Sequence, residues 1–185
     1  MLELGQDEIK RRAARVHLLL FDVDGVMTDG GIILIGEKAE AKRFDVRDGM
    51  GVTLARAAGL KVGIITGRKS AVVHRRAEEL SIDEVCQGYF HKEEALDLLL
   101  EKHALVASQV AYVGDDLLDL PVLKRVGLPI AVCNACREVK DHSIYVTQAP
   151  GGHGALREVI DWLLELRGQK EAVSSLFTAN REKRS

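Results

Sequence analysis

Cysteine is scarce: Cys86, Cys133 and Cys136 form an odd, sparse set in 185 residues, which excludes the disulfide-stapled frameworks of small secreted domains. Cys133-Asn-Ala-Cys136 has the spacing of zinc and redox motifs, but no second pair or histidine cluster accompanies it, so a strand end followed by a helix start explains it better. Net charge is also nearly absent, with 26 basic against 28 acidic residues and a balance of −2. That leaves no field to gather nucleic acid or anionic lipid, and neither is expected as a partner. Long apolar runs are missing as well. The segment MLELGQDEIKRRAARVHLLLF spreads charge through its first fifteen residues and carries only a short apolar run before Asp22, unlike a signal peptide or membrane helix. A cytoplasmic protein is expected. The six histidines lack the i, i+4 pairing of helical metal motifs; only His153, in a glycine-rich loop, is a candidate contact.

What is present is ordinary globular composition, 46% hydrophobic and 29% charged, in a length that suits one domain over residues 1–185. Val16–Phe21 is a continuous apolar run of the kind that forms a strand buried on both faces. Similar runs lie at Lys61–Ile65, Gln109–Val113 and Leu128–Val132. Helical patterns separate or follow them at about Gly49–Ala58, Ser70–Leu80, Lys92–His103, Leu117–Arg125 and Ala155–Leu166. Strand and helix in alternation predict an α/β fold with a parallel, doubly wound sheet and a ligand site at the carboxyl ends of its strands. One segment breaks the rhythm. Residues 31–45 hold two β-like pieces around Gly36-Glu-Lys and predict a hairpin inserted after the first strand. An isolated hairpin is marginal in water, which points to oligomerisation. The polar tail, residues 168–185, has no clear apolar period and is expected to be mobile, or ordered only against another surface.

The polar residues that end these runs carry the chemistry. Asp22 and Asp24 leave the first strand one residue apart, close enough to share a cavity with an oxygen-seeking cation such as Mg²⁺. Asp and Gly also favour plain turns, so this pair alone signifies little. Thr66-Gly67-Arg68 ends the second run with a hydroxyl and free amides suited to a phosphoryl oxygen, although Thr-Gly also caps helices. Lys92 opens a helix and could neutralise the same group, although a single lysine is usually a solvated charge. Gly114-Asp115-Asp116-Leu-Leu-Asp119 ends the third run, although acids also cap helix dipoles. Four ordinary explanations falling on successive strand or helix junctions are jointly improbable.

The set Asp22-Val-Asp-Gly-Val-Met-Thr-Asp-Gly30, Ile65-Thr-Gly-Arg68, Lys92 and Gly114-Asp-Asp-Leu-Leu-Asp119 resembles the four motifs of haloacid dehalogenase-type phosphatases, over roughly residues 16–135. The resemblance implies that Asp22 is the nucleophile and forms an aspartyl-phosphate, and that Asp24 is general acid and then base. It implies that Thr66 and Lys92 hold the phosphoryl group, that Asp22, the Asp24 carbonyl and Asp115 bind Mg²⁺, and that Asp116 and Asp119 position Lys92 or a metal-bound water. Length, hairpin, Phe44-Asp-Val-Arg-Asp-Gly-Met-Gly51, Ile65-Thr-Gly-Arg-Lys-Ser70 and Gly151-Gly-His-Gly-Ala-Leu-Arg-Glu158 are similar to the small cap-less branch that hydrolyses a phosphorylated eight-carbon keto-sugar acid. There the fold is a Rossmann-like sheet flanked by helices, and four subunits join their hairpins in place of a cap. The implied substrate contacts are Thr28, Gly67, Arg68 and, from a neighbouring subunit of a homotetramer, Arg76; a guanidinium suits the two oxygens of a sugar carboxylate. Asp45 and His153 depart from the branch, where Asn or another polar residue is expected at the first position and Arg is frequent at the second. Two other classes use similar parts. A receiver-type domain has an acidic cluster, Thr, Lys and phospho-Asp but in another order, and an idle regulatory domain would not need Asp22, Asp24, Thr66, Lys92 and Asp115 all intact.

Overall fold

Leu18-Leu-Leu-Phe21 has no polar position on either face, and in the computed structural model, which describes residues 4–37 and 39–179, it is the fully buried centre of a sheet. The strands are β1 Leu18–Phe21, β2 Ile33–Ile35, β3 Ala39–Ala41, β4 Lys61–Thr66, β5 Glu84–Gln87, β6 Val110–Gly114, β7 Leu128–Ala131 and β8 Tyr145–Val146. The helices are α1 Gln6–Ala14, α2 Val46–Ala57, α3 Ala71–Glu79, α4 Lys92–His103, α5 Leu120–Leu123, α6 Arg137–Asp141, α7 Ala155–Leu166 and α8 Lys170–Thr178. Six strands form one parallel sheet in the order β5-β4-β1-β6-β7-β8. The chain winds outward from β1 to β5 and then returns to β6 on β1's other side. The crevice between β1, β4 and β6 is therefore the switch point where parallel sheets bind ligands.

The predicted α/β class holds, with two strands added. β5 and β8 escape a search for apolar runs because they are edge strands, only partly buried. α2 starts at Val46 rather than Gly49, because Asp45 caps it by accepting the Arg47 N–H at 2.8 Å. Its glycines serve packing: a Cβ at Gly51 would sit 3.1 Å from the Arg157 backbone on α7. The helix expected over Leu117–Arg125 is split into a 3-10 turn, Leu117–Asp119, and the short α5. The division occurs where Asp119 turns its carboxylate back onto the amides of Asp115 and Asp116.

The tail differs most from expectation. Gly168, at φ +65°, lets the chain reverse after α7, and α8 folds onto the chain's own body, against α2 and α7, with Val173 buried. A single buried side chain gives no period to read, since Leu176 and Phe177 stay exposed. The remainder of the tail, 180–185, lies outside the described residues. The hairpin forms as expected, β2 pairing antiparallel with β3 from Ile33↔Ala41 to Ile35↔Ala39. It presents Ile32, Ile33, Leu34 and Ile35 to solvent, Leu34 being 74% exposed. Among the described residues no helix is long and apolar enough to cross a membrane.

The glycine-rich loop ahead of α7 lies directly on the turn that follows β1. A Cβ at Gly151 would sit 1.7 Å from the Gly25 carbonyl oxygen, and the Gly152 N–H donates to the Val26 carbonyl at 2.9 Å. Asp48, fully buried on α2, accepts the Arg157 N–H at 2.8 Å and so fixes the start of α7 behind that loop. Burial pushes its carboxyl up to about 6.

Candidate active site

Asp22 ends β1, and its Oδ1 accepts the Val23 N–H at 2.7 Å, opening the tight turn Val23–Met27. Gly25 sits in that turn at φ +96°, where a Cβ would meet Asp115 Oδ2 at 2.0 Å. Only glycine allows the turn and the end of β6 to approach this closely. The next acid faces elsewhere. Asp24 turns its carboxylate toward the hairpin, where Lys42 Nζ binds Oδ1 and Arg68 Nε lies 3.7 Å from Oδ2. Two acids one residue apart thus have separate surroundings, as separate tasks require.

Lys92 is the first residue of α4, and its side chain is 1% exposed, with Nζ 2.8 Å from Asp22 Oδ2 and 2.6 Å from Asp119 Oδ1. Asp119 also accepts from the Tyr112 hydroxyl at 2.6 Å, from the Asp115 N–H at 2.8 Å and from the Asp116 N–H at 3.2 Å. Four hydrogen bonds fill its lone pairs, which makes it a holder of Lys92 and of the β6 exit. Asp22, Thr66, Gly67, Arg68, Lys92, Asp115 and Asp119 surround a cleft of about 180 Å³, with Asp24, Asp116 and Leu118 completing its wall. Larger hollows exist, including one of about 440 Å³ beside Trp162, but the convergent acids and the buried lysine are in the small one.

The electrostatics call for a cation. Burial raises Asp115 to about 8, with Asp119 and Asp22 adding to the effect. Burial likewise raises Asp22, to about 6, against the opposing pull of Lys92. For Lys92, burial works against the charge, but Asp22 and Asp119 outweigh it and hold the ammonium above its ordinary range. Carboxylate oxygens of Asp22, Asp115 and Asp119 lie within 4.8 Å of one another. With all three ionised, the carboxylates exceed the one ammonium by two negative charges, the charge that one divalent ion offsets. Among the described residues, Asp115 Oδ1 is buried with no hydrogen-bond partner. With Asp119 saturated, Asp22 and Asp115 are the side chains fitted to hold such an ion, and an all-oxygen set suits Mg²⁺.

Not every residue singled out in the sequence reaches the cleft. Thr28 is fully buried, its hydroxyl donating to the Val23 carbonyl at 3.3 Å and accepting the Gly30 N–H at 3.2 Å, so it braces the turn. Arg76 packs over the Phe44 ring and pairs with Glu79 on its own helix, away from this chain's cleft. Asp116 does stand in the cleft wall, where it caps its own turn by accepting the Leu117 N–H at 2.8 Å. Sequence reading missed Lys42, Glu40 and Tyr112. Glu40-Ala-Lys42 carries the alternation that puts both charges on one face of a strand; Tyr112 is indistinguishable from core within an apolar run.

Acids, a lysine and a threonine at the switch point of a parallel sheet define a phosphoryl-transfer class of site, and comparison with known proteins identifies the family. The family model described as haloacid dehalogenase-like hydrolase matches residues 84–158. The chain is 44% identical over 162 residues to the 3-deoxy-D-manno-octulosonate 8-phosphate phosphatase of Escherichia coli strain B, covering 88% of this chain and 86% of that protein. It is 41% identical over 170 residues to the phosphatase of the same name from Yersinia pestis, covering 92% and 91%. Its structure is similar to that of the Moraxella catarrhalis phosphatase in complex with a magnesium ion, a phosphate ion and a KDO molecule. That match has a TM-score of 0.90 and 40% identity, over 94% of this chain and 99% of the other. The chain belongs to the haloacid dehalogenase-like hydrolase family. Within that family it groups with the phosphatases of 3-deoxy-D-manno-octulosonate 8-phosphate.

Proposed function

We propose that this chain hydrolyses 3-deoxy-D-manno-octulosonate 8-phosphate to 3-deoxy-D-manno-octulosonate and inorganic phosphate, a step of lipopolysaccharide precursor synthesis. The observation that carries the reading is Lys92, buried between Asp22 and Asp119 beside the unpartnered oxygen of Asp115. Asp22 attacks phosphorus, the bond to the ester oxygen breaks, and the phosphoryl group becomes an aspartyl-phosphate. Lys92 and Thr66 hold the phosphoryl oxygens through this transfer. Asp24 gives its proton to the departing sugar alkoxide, then takes one from the water that cleaves the acyl phosphate. Asp22, Asp115 and the Asp24 main-chain carbonyl would hold Mg²⁺, which would supply the charge neutralisation that lets a carboxylate approach a phosphate dianion.

A cleft of about 180 Å³ accommodates the phosphoryl group and leaves the sugar outside it. The sugar is then read by Arg68 and by groups from neighbouring subunits, Arg76 among them. Exposed isoleucines on the hairpin support assembly into a homotetramer. In sedimentation the parent chain is expected at four subunits, and Leu34→Lys at fewer, with phosphatase activity falling in parallel. A fully active monomer would rule the assembly out.

Phosphate release measured across eight- and nine-carbon keto-sugar-acid phosphates, simple sugar phosphates and nucleotides, with and without Mg²⁺, tests the function. The eight-carbon substrate is expected to lead in kcat/KM by about tenfold or more, the discrimination that one fitted carbon unit provides. Chelation of the metal is expected to abolish release. A lead for a nine-carbon substrate would reassign the sugar. Absence of release from any ester would return the site to a regulatory phospho-aspartate role.

A further inference from the structure

The hairpin does more than offer an apolar face. Glu40 on β3 and Lys42 just past its end lie two residues apart and both turn to groups of the cleft wall, Glu40 to Arg68 and Lys42 to Asp24. The Lys42 side chain is 1% exposed, an unusual burial for a lysine on a projecting hairpin. Its ammonium is bound to Asp24 Oδ1, and among the described residues it is the one hydrogen-bond donor to that carboxylate. On the other side of Asp24, Arg68 Nε stands 3.7 Å from Oδ2, while Arg68 Nη2 donates to Glu40 Oε2 at 3.0 Å. The four charges run Lys42, Asp24, Arg68, Glu40. Both ends belong to the hairpin and both middle members to the exits of β1 and β4.

We infer that Lys42 is a positioning residue for the acid–base step: it pins one oxygen of Asp24 and so aims the other at the ester oxygen of the substrate. The inference rests on the phosphatase reading above. Asp24 sits beside Gly25 with the non-helical backbone angles φ −76° and ψ 109°, and the hydrogen bond that holds its carboxylate comes from the hairpin's Lys42. When the O–P bond breaks and Asp22 takes the phosphoryl group, the proton on Asp24 Oδ2 passes to the leaving oxygen. Lys42 keeps its own proton and stays on Oδ1. The hairpin thereby becomes part of the catalytic apparatus of its own subunit, and its seating decides whether the leaving group is protonated.

Leaving-group chemistry separates this role from a structural one. An alkoxide leaves only with a proton, whereas the nitrophenolate of p-nitrophenyl phosphate leaves without one. Turnover of the sugar-acid phosphate, of glycerol phosphate and of p-nitrophenyl phosphate should be compared in the Mg²⁺-loaded parent, Lys42→Met, Lys42→Gln and Lys42→Arg. In Lys42→Met the ratio of alkyl to aryl turnover is expected to fall about thirtyfold or more, a part of the roughly hundredfold to ten-thousandfold that general acid catalysis supplies, with the change in kcat rather than KM. Lys42→Arg is expected to recover part of that ratio, and Lys42→Gln, which keeps a donor, to stand between; Lys42→Gln serves in place of Lys42→Met should the latter fail to fold. Equal losses on alkyl and aryl esters overturn the inference in favour of general support of the site. A loss confined to the sugar-acid phosphate overturns it in favour of a sugar contact. A parent inactive on all three esters would instead strike the phosphatase reading itself.

Discussion

Asp22→Asn is expected to lower turnover by about a thousandfold or more, the scale at which enzymes lose rate when a covalent nucleophile is removed. The carboxamide has nearly the shape of the acid and can still accept the Val23 N–H that opens the turn, so the loss reports chemistry rather than fold. Rapid-quench mass analysis should find a phosphorylated parent and no phosphorylated variant. Retention of more than about a tenth of the parent's turnover would remove Asp22 from the nucleophile's role. The same substitution carries a signature in stability. Burial raises the Asp22 carboxyl to about 6, so the folded chain holds a proton that the unfolded chain, with an ordinary Asp near 3.8, has released. Between those two values every rise in pH costs the native state stability, and above about 6 the whole cost is present. Asparagine has no such cost. Unfolding measured in chelator from pH 4 to 7 should therefore show the stability difference moving steadily toward the variant; a flat difference would mean that Asp22 is not strained by burial.

The site was legible in the sequence while its surroundings were not. Asp22, Thr66 and Asp115 are polar residues at the ends of apolar runs, Lys92 opens a helix, and a parallel sheet brings the ends of its strands together. Once the runs at Leu18–Phe21, Lys61–Thr66 and Val110–Gly114 are recognised, convergence follows from topology alone. What sequence could not place are contacts made across elements. Lys42 meets Asp24 because a hairpin folds back, and Tyr112 meets Asp119 from inside a strand. Each depends on where a side chain points in three dimensions. The edge strands β5 and β8 and the helix α8 were hidden for a related reason. Elements at the margin bury one or two residues, and periodicity needs more than that to rise above composition.

Lys92→Met joins catalysis to stability most directly. Methionine fills a similar length without charge, leaving Asp22, Asp115 and Asp119 together in a buried space with no cation. Asp119 keeps Tyr112 and two backbone amides, but Asp22 loses the partner that opposed its desolvation. Breaking a buried ion pair from one side typically costs about 3–5 kcal/mol, and loss of that order is expected in metal-free unfolding at neutral pH. Mg²⁺ binds only the folded arrangement of acids, so it should raise the variant's melting temperature more than the parent's. Turnover should nevertheless stay about a hundredfold to a thousandfold down even in saturating Mg²⁺, because the donor aimed at the phosphoryl oxygens is gone. A variant as stable as the parent in chelator at neutral pH would show that the acids tolerate burial without the lysine and would overturn this role. One fixed positive charge is what lets three acids fold together, and the same acids, once ionised, are what draw in the metal.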